Sequence, residues 1–412
     1  MSTTSVAHLI PECADRPGDD PIFALNALAT RRAEAGEDVL NSTLGALMKD
    51  DGRLAVMPSF FAAVQAISRE QAAAYAPISG PPVFLNAVVQ DLFEGGPLAA
   101  HAVAAATPGG TGACHHAIVN FLEPGQELLT TSYFWGPYGI LAHHTRRGCR
   151  TFRMFRADGG LDTGALAAAL DRHVEKQGRA LVVMNTPCHN PTGYSLDDDD
   201  WSRLVDVLAA AARRAPVTLL LDQAYAKYAA PGPKGWLGHV ERLLGQVTVL
   251  FAWSASKAFT QYGSRIGACV AVEADPAERA AIKNALGYSC RGTWSNCNHL
   301  GMLAVARLLT DRDLRRRSEE ERDELRRLLS ARVQAFNALA GARGLSYPRY
   351  EGGFFVTVFT PDADATMRSM QEEGVFVVPL DGAVRVAICA TPVVRIPRLV
   401  DALARGVRAA GG

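Results

Sequence analysis

The sequence predicts an α/β fold: a large domain with a mostly parallel central sheet covered by helices, joined to a smaller α+β domain. Three observations predict it. Four short segments are apolar throughout: Ala180 to Asn185 (ALVVMN), Val217 to Asp222 (VTLLLD), Val247 to Trp253 (VTVLFAW) and Ile266 to Val272 (IGACVAV). Strands apolar on both faces belong to a sheet covered on both sides. Stretches of helical period, such as Asp197 to Arg213, lie between them and supply the cover. Towards the C-terminus the pattern changes to GGFFVTVF, FVVPL and AVRVAIC, short strands separated by a helical stretch from Ala363 to Glu373. That change marks a second, smaller α+β unit.

Taken in order, the first 18 residues are polar and proline-bearing, without a period, and read as an arm. In DPIFALNALATRRAEAG a helix is predicted, with Asp20 as cap, Pro21 in its first position and Gly36 near its end. ATPGGTGACHHAIVNFL is a glycine-rich turn running into a helix. From Asp311 to Arg332 the chain is dense in charge with leucines at helical spacing, which predicts a long, mostly solvated helix laced by i, i+4 ion pairs. No internal repeat or low-complexity linker interrupts the chain.

Composition narrows the function. The 412 residues are 48% apolar and 20% charged, enough for a sizeable core. With 42 basic against 42 acidic side chains there is no field to draw nucleic acid or an anionic membrane. The N-terminus lacks a basic segment followed by an apolar one, and no run of apolar residues is long enough to span a bilayer, so a cytoplasmic protein is expected. Eight scattered cysteines without a CxxC pair predict reduced thiols. The histidines show no HExxH, and the pairs His115-His116 and His143-His144 are adjacent, pointing apart on a helix or a strand; no metal site is expected.

The chemistry sits at the ends of the predicted strands. Lys257 follows VTVLFAW and two small hydroxyl residues, Ser254 and Ser256, with Arg265 eight positions on. A lysine desolvated at a strand end has a lowered pKa and becomes an amine nucleophile towards a carbonyl. Serines and an arginine beside it suit a phosphate. Asp222 ends LLLD, with Tyr225 three residues later, at the edge where α/β sheets bind ligands. Asn190 lies in the turn sequence CHNPTG, and TPGGTGA has the form of an anion cradle but matches neither nucleotide-loop pattern. Singly, each has an ordinary structural reading: surface lysine, helix cap, tight turn. Jointly, a reactive lysine, a carboxylate able to pair with a pyridinium nitrogen, a tyrosine, an asparagine and a phosphate cradle are what pyridoxal 5'-phosphate requires.

With these residues in view, the sequence resembles the fold type I pyridoxal-phosphate-dependent aminotransferases, and within class I it is most similar to the aspartate and aromatic amino acid aminotransferases. TPGGTGA, CHNPTG, DxAY, SxSK, SRIGAC and TWSN occur in the family's order, and the resemblance runs from about Asp20 to the C-terminus. It implies Lys257 as the lysine that anchors the cofactor's aldehyde and shuttles the proton, and Asp222 as the partner of the ring nitrogen. It implies Tyr225 and Asn190 at the phenolate oxygen, Trp135 stacked on the ring, and Gly110, Thr111, Ser254, Ser256 and Arg265 around the phosphate. Tyr75 would reach the phosphate of a neighbouring subunit, which implies a homodimer with shared sites. Arg385 would fork onto the substrate α-carboxylate, with Gly45 and Phe354 flanking the substrate. Arg291, three residues before Trp294, matches the arginine that reads a side-chain carboxylate across the dimer. Aspartate and glutamate with their 2-oxo acids are thereby favoured, and aromatic substrates stay open. The family layout also implies an arm over residues 1–18, a large domain over 55–320, and a small domain made from 19–54 and 321–412.

The sequence departs from the family's pattern at three places. Tyr138 stands where a histidine commonly backs the aspartate, Trp253 stands where a small residue is usual, and LGALMKDDG lacks a tyrosine. A pocket reshaped towards a specialised amino acid stays open on that account. So do a lyase, racemase or decarboxylase on the same cofactor, and, remotely, a non-catalytic sensor.

Overall fold

The computed structural model describes residues 8–14, 16–18, 20–229 and 235–411. Its centre is a seven-stranded sheet built from β1 (Ala102–Thr107), β2 (Glu127–Thr131), β3 (Gly148–Phe152), β4 (Ala180–Asn185), β5 (Val217–Asp222), β6 (Thr248–Ser254) and β7 (Gly267–Val272). The spatial order is β1-β7-β6-β5-β4-β2-β3. β7 alone runs antiparallel to its neighbours; the others are parallel. The four strands predicted from apolar runs are present, with β6 and β7 each starting one residue later than expected.

β4, β5 and β7 are buried at every position, because helices cover both faces. Val182, Leu219, Leu221 and Phe251 enter one core; Leu181, Val183, Leu220 and Leu250 enter the other. The cover includes Gly109–Phe121 and the predicted helix at Asp198–Ala212, capped by Asp197. The helix Pro21–Glu34 starts as expected, with the Asp20 carboxylate accepting the Ile22 N–H at 2.8 Å and Pro21 in the first turn.

The second sheet has β8 (Phe355–Phe359), β9 (Val378–Leu380) and β10 (Ala383–Ala387), antiparallel in the order β9-β10-β8. Helices Ala363–Glu372 and Ile396–Gly411 accompany it. Leu40–Asn41 pairs in parallel with Val375–Phe376, so a segment before the large sheet is tied to the C-terminal part of the chain. Of the expected N-terminal arm, residues 1–7 and 15 lie outside the described residues; Pro11–Ala14 forms a helical turn with nothing buried.

The long charged helix differs from expectation. It runs from Arg312 to Ala340, beyond the anticipated Arg332, and one face is buried. The ion pairs Arg315–Glu319 and Arg316–Glu320 form on its solvated side as predicted. Ser318, Arg322, Leu325, Leu329 and Arg332 instead turn inward. Arg332 is 0% exposed and donates to the Cys389 and Met48 carbonyls and to Asp50. Two arginines on the apolar stripe hid it from a reading by charge density, because a guanidinium can be buried where acceptors are supplied.

Candidate active site

Parallel strands deliver their carboxyl ends to one edge of the sheet, where successive chain turns can meet over a ligand. The register aligns Asn185 with Asp222 and Asp222 with Ala252. β7 runs the other way, so its start lies at that edge, with Gly267 opposite both Ser254 and Thr107. Arg265, two residues upstream, therefore joins the turn after β1 and the turn after β6. A cleft of about 170 Å³ opens there, lined by Gly110, Thr111, Trp135, Asn185, Asn190, Asp222, Ala224, Tyr225, Ser254, Ser256, Lys257 and Arg265. Ten of the residues expected at the cofactor thus converge from five separate turns.

Lys257 sits in the short helix Ala255–Ala258, which starts with the Ser254 hydroxyl accepting the Ser256 N–H at 3.1 Å. Its ammonium lies 5.4 Å from the centre of the Tyr225 ring and 5.9 Å from that of Tyr262. Burial pushes its pKa down, with Asp222 opposing and Arg265 adding to the fall. A lysine so placed gives up its proton more easily than a solvated one.

Asp222 is held from both sides. Tyr138 donates its hydroxyl to Oδ2 at 2.6 Å, and the Ala224 N–H donates to Oδ1 at 3.1 Å. Burial nevertheless pushes this carboxyl up, against both donors and Lys257. Tyr138 fills the position in doubt from the sequence: its ring packs edge-on against Trp135 at 5.3 Å, and burial beside Asp222 drives its own pKa well up. It stays a proton donor at every working pH.

Asn190 is fixed by Asn185, whose side chain accepts the Asn190 N–H at 2.6 Å and donates to the Asp222 carbonyl at 2.9 Å. Its Nδ2 then reaches the Tyr225 hydroxyl at 3.4 Å. At the other end, Arg265 donates to Ser256 Oγ at 3.4 Å, Thr111 Oγ1 at 3.5 Å and the Tyr262 carbonyl at 2.8 Å. Gly109 has φ +72°, and a Cβ there would lie 2.4 Å from the Arg265 guanidinium. Glycine is required for that close approach.

The substrate side comes from elsewhere in the chain. Arg385, on β10, is 6% exposed; it donates to the Thr43 carbonyl at 2.7 Å, lies 4.5 Å over the Phe355 ring, and its buried Nε has no partner. Gly45 faces the same ring, where a Cβ would lie 2.4 Å from Phe355 Cζ. Phe354 is fully buried behind Tyr225 and Tyr228, at 5.2 and 5.1 Å between ring centres. Phe355, not singled out in the sequence, is the aromatic between Gly45 and Arg385; the doublet GGFFV could not say which phenylalanine faces forward. Tyr262, also missed, accepts the Leu47 N–H at 2.9 Å and pins the segment after Gly45.

Two expected residues stand apart. Tyr75 is 91% exposed, and Arg291 is exposed at the end of helix Pro276–Gly292, donating to Ser295 Oγ at 2.6 Å. Trp253 is buried away from the cleft, with its indole N–H on Asp91 at 2.9 Å.

Pyridoxal phosphate fits this donor set on the structure's own terms. The Asp222 carboxylate, destabilised by burial, would be met by a cationic ring nitrogen. Arg265, with hydroxyls and the amides of a helix start, suits a phosphate. The unpartnered Arg385 Nε suits a carboxylate.

A mixed sheet with a lysine, a carboxylate and a phosphate cradle at one edge defines a pyridoxal-phosphate enzyme of fold type I. The sequence profile described as "Aminotransferase class I and II" matches residues 38–403. The chain belongs to that family and is a pyridoxal-phosphate-dependent aminotransferase. An aromatic-amino-acid aminotransferase of Pseudomonas aeruginosa is 28% identical over 401 residues, 94% of this chain and 96% of the relative. An aspartate aminotransferase of the same organism is 28% identical over 399 residues, 92% and 94% of the two chains. A crystal structure of an aminotransferase from Anaerococcus prevotii superposes with TM-score 0.92 at 30% identity, covering 98% of this chain and 100% of that one. One of an aromatic-amino-acid aminotransferase from Burkholderia pseudomallei, covalently bound to pyridoxal phosphate, shares the fold with TM-score 0.81 at 24% identity, covering 99% and 100%.

Proposed function

We propose that this aminotransferase moves the amino group between an L-amino acid, aspartate or glutamate first and aromatic amino acids second, and a 2-oxo acid such as 2-oxoglutarate, in a ping-pong cycle. The observation that carries this reading is Lys257: half-buried in the lining of the cleft, its basicity lowered, with Asp222 in electrostatic reach. Relatives named for aspartate and for aromatic amino acids support both substrate classes.

Bound pyridoxal phosphate supplies a cationic ring that takes up the electrons left on the substrate Cα when its proton departs. Lys257 would anchor the cofactor, and its Nζ would move the proton at the substrate Cα, acting as base and then as acid. Asp222 would keep the ring nitrogen cationic. Tyr225 and Asn190 would hold the phenolate oxygen, Trp135 would cover the ring, and Gly110, Thr111, Ser254, Ser256 and Arg265 would hold the phosphate. Arg385 would grip the α-carboxylate, with Gly45 and, in place of the expected Phe354, Phe355 beside it; orienting Cα towards Lys257 in this way is worth about several kcal/mol of barrier.

The protein acts as a homodimer with shared sites. The exposure of Tyr75 and Arg291 supports this: neither serves the cleft of its own chain, and both are free to enter a partner's. Arg291 would read the side-chain carboxylate of aspartate or glutamate. Among the described residues no helix is long and apolar enough to cross a membrane, and we place the enzyme in the cytoplasm.

The test is the absorbance spectrum of cofactor-loaded protein before and after aspartate, glutamate, tyrosine or phenylalanine alone. Conversion of the cofactor's aldehyde form to its amine form is expected, at lowest concentration for the dicarboxylates. Lys257→Ala should fold, by circular dichroism, and lose this conversion; wild-type conversion in that variant sinks the assignment.

A further inference from the structure

We propose that a second cavity, between the long helix Arg312–Ala340 and the end of β6, binds a small organic carboxylate through Arg322 and Gln223, at a site separate from the amino-acid site. The cavity measures about 310 Å³.

Two donors face it, and among the described residues neither has a carboxylate partner. Gln223 is 7% exposed, and its buried Nε2 has no partner. Arg322 is 6% exposed; its Nε donates to the Ala258 carbonyl at 3.0 Å, and its guanidinium lies 5.1 Å from the Phe259 ring centre. Among the described residues no carboxylate pairs with Arg322, because the neighbouring ones are engaged elsewhere. Asp91 accepts from Lys227 and from the Trp253 indole, Glu319 accepts from Arg315, and Asp323 from Arg326. A guanidinium this deeply buried without contact neutralisation is costly unless an anion or water completes it.

The lining selects the occupant's chemistry. A guanidinium and an amide N–H₂ offer donors only, so the occupant must accept. A planar fork suits a carboxylate. Trp236, Trp253, Leu308 and Leu309 form an apolar part of the wall, which suits a carbon body of modest size, while charged side chains of both signs, Asp91, Glu94, Glu319 and Asp323 with Lys227, Arg315 and Arg326, line the rest. The site adjoins the chemistry, since Gln223 follows Asp222 directly and Ser254 borders both cavities. An occupant there is placed to bias the residues that hold the cofactor.

The test uses 3-phenylpropionate as probe and isothermal titration calorimetry on the cofactor-loaded enzyme. Wild type should show two binding events per chain, one at Arg385 and one here. Arg385→Leu should remove the first and keep the second. In that background, Arg322→Met should weaken the remaining event at least about tenfold, the loss expected of a charge-assisted hydrogen bond. Gln223→Met, which keeps the side-chain volume, should weaken it severalfold and carries the test if the arginine variant does not fold. Absence of binding in Arg385→Leu overturns the proposal, as does an event undiminished by both further substitutions.

Discussion

Tyr138 shows how one hydroxyl can set the electrostatics of a site. Its bond to Asp222 at 2.6 Å is one of two donors opposing a burial that favours the neutral acid. Tyr138→Phe removes the donor and little volume, so the Asp222 pKa should rise further and the ring nitrogen should lose its counter-charge. A hydrogen bond to a charged group contributes about 1.5–3 kcal/mol, so the half-reaction with aspartate should slow by roughly 10- to 100-fold. The pH titration of the bound cofactor's absorbance should also shift, a readout that needs no turnover. If rate and titration both match wild type, Tyr138 does not position Asp222. From sequence, Tyr138 was visible only as an odd residue three positions after Trp135. Its partner lies 84 residues away, and local pattern carries no such distance.

At the scale of elements, the turn between β1 and the helix Gly109–Phe121 depends on a left-handed glycine packed against Arg265. Gly109→Ala would force a Cβ into the guanidinium and impose an unfavourable φ, a strain of about 1–3 kcal/mol. Cofactor affinity should fall at least about tenfold, measured by absorbance titration of the apoprotein with pyridoxal phosphate; unchanged affinity would show that Arg265 is not held by this turn. The residues at strand ends were legible because a buried parallel strand has a conspicuous apolar run, and whatever follows its last residue is at the ligand edge. Lys257, Asp222, Tyr225 and Asn190 were found that way. Phe355 and Tyr262 were not, because their neighbours Arg385, Gly45 and Leu47 belong to segments distant in the chain.

Across the whole molecule, burial of neutral histidines ties stability to pH. His116 and His189 are pushed down to about 3 from the ordinary 6.5, mainly by desolvation. Below pH 6.5 the unfolded chain binds protons that the folded one refuses, so their stabilisation is complete above pH 6.5 and is lost progressively as pH falls towards 3. The slope is about 1.4 kcal/mol per pH unit for each histidine. Denaturant unfolding between pH 6.5 and 5 should show it, with His116→Gln flattening the slope by about that amount; an unaltered slope would mean His116 protonates in the folded state.

The sequence by itself determined the α/β class and four of the central strands, because those follow from period and composition over a few residues, and the cofactor, because its motifs lie at the ends of those strands and carry the family resemblance. The buried face of the long charged helix, the choice of Phe355 over Phe354 beside Arg385, and Tyr138 as the support of Asp222 were decided only by the tertiary structure. Each depends on which distant segment supplies an acceptor, a ring or an open space, and that information exists only once the chain has folded back on itself.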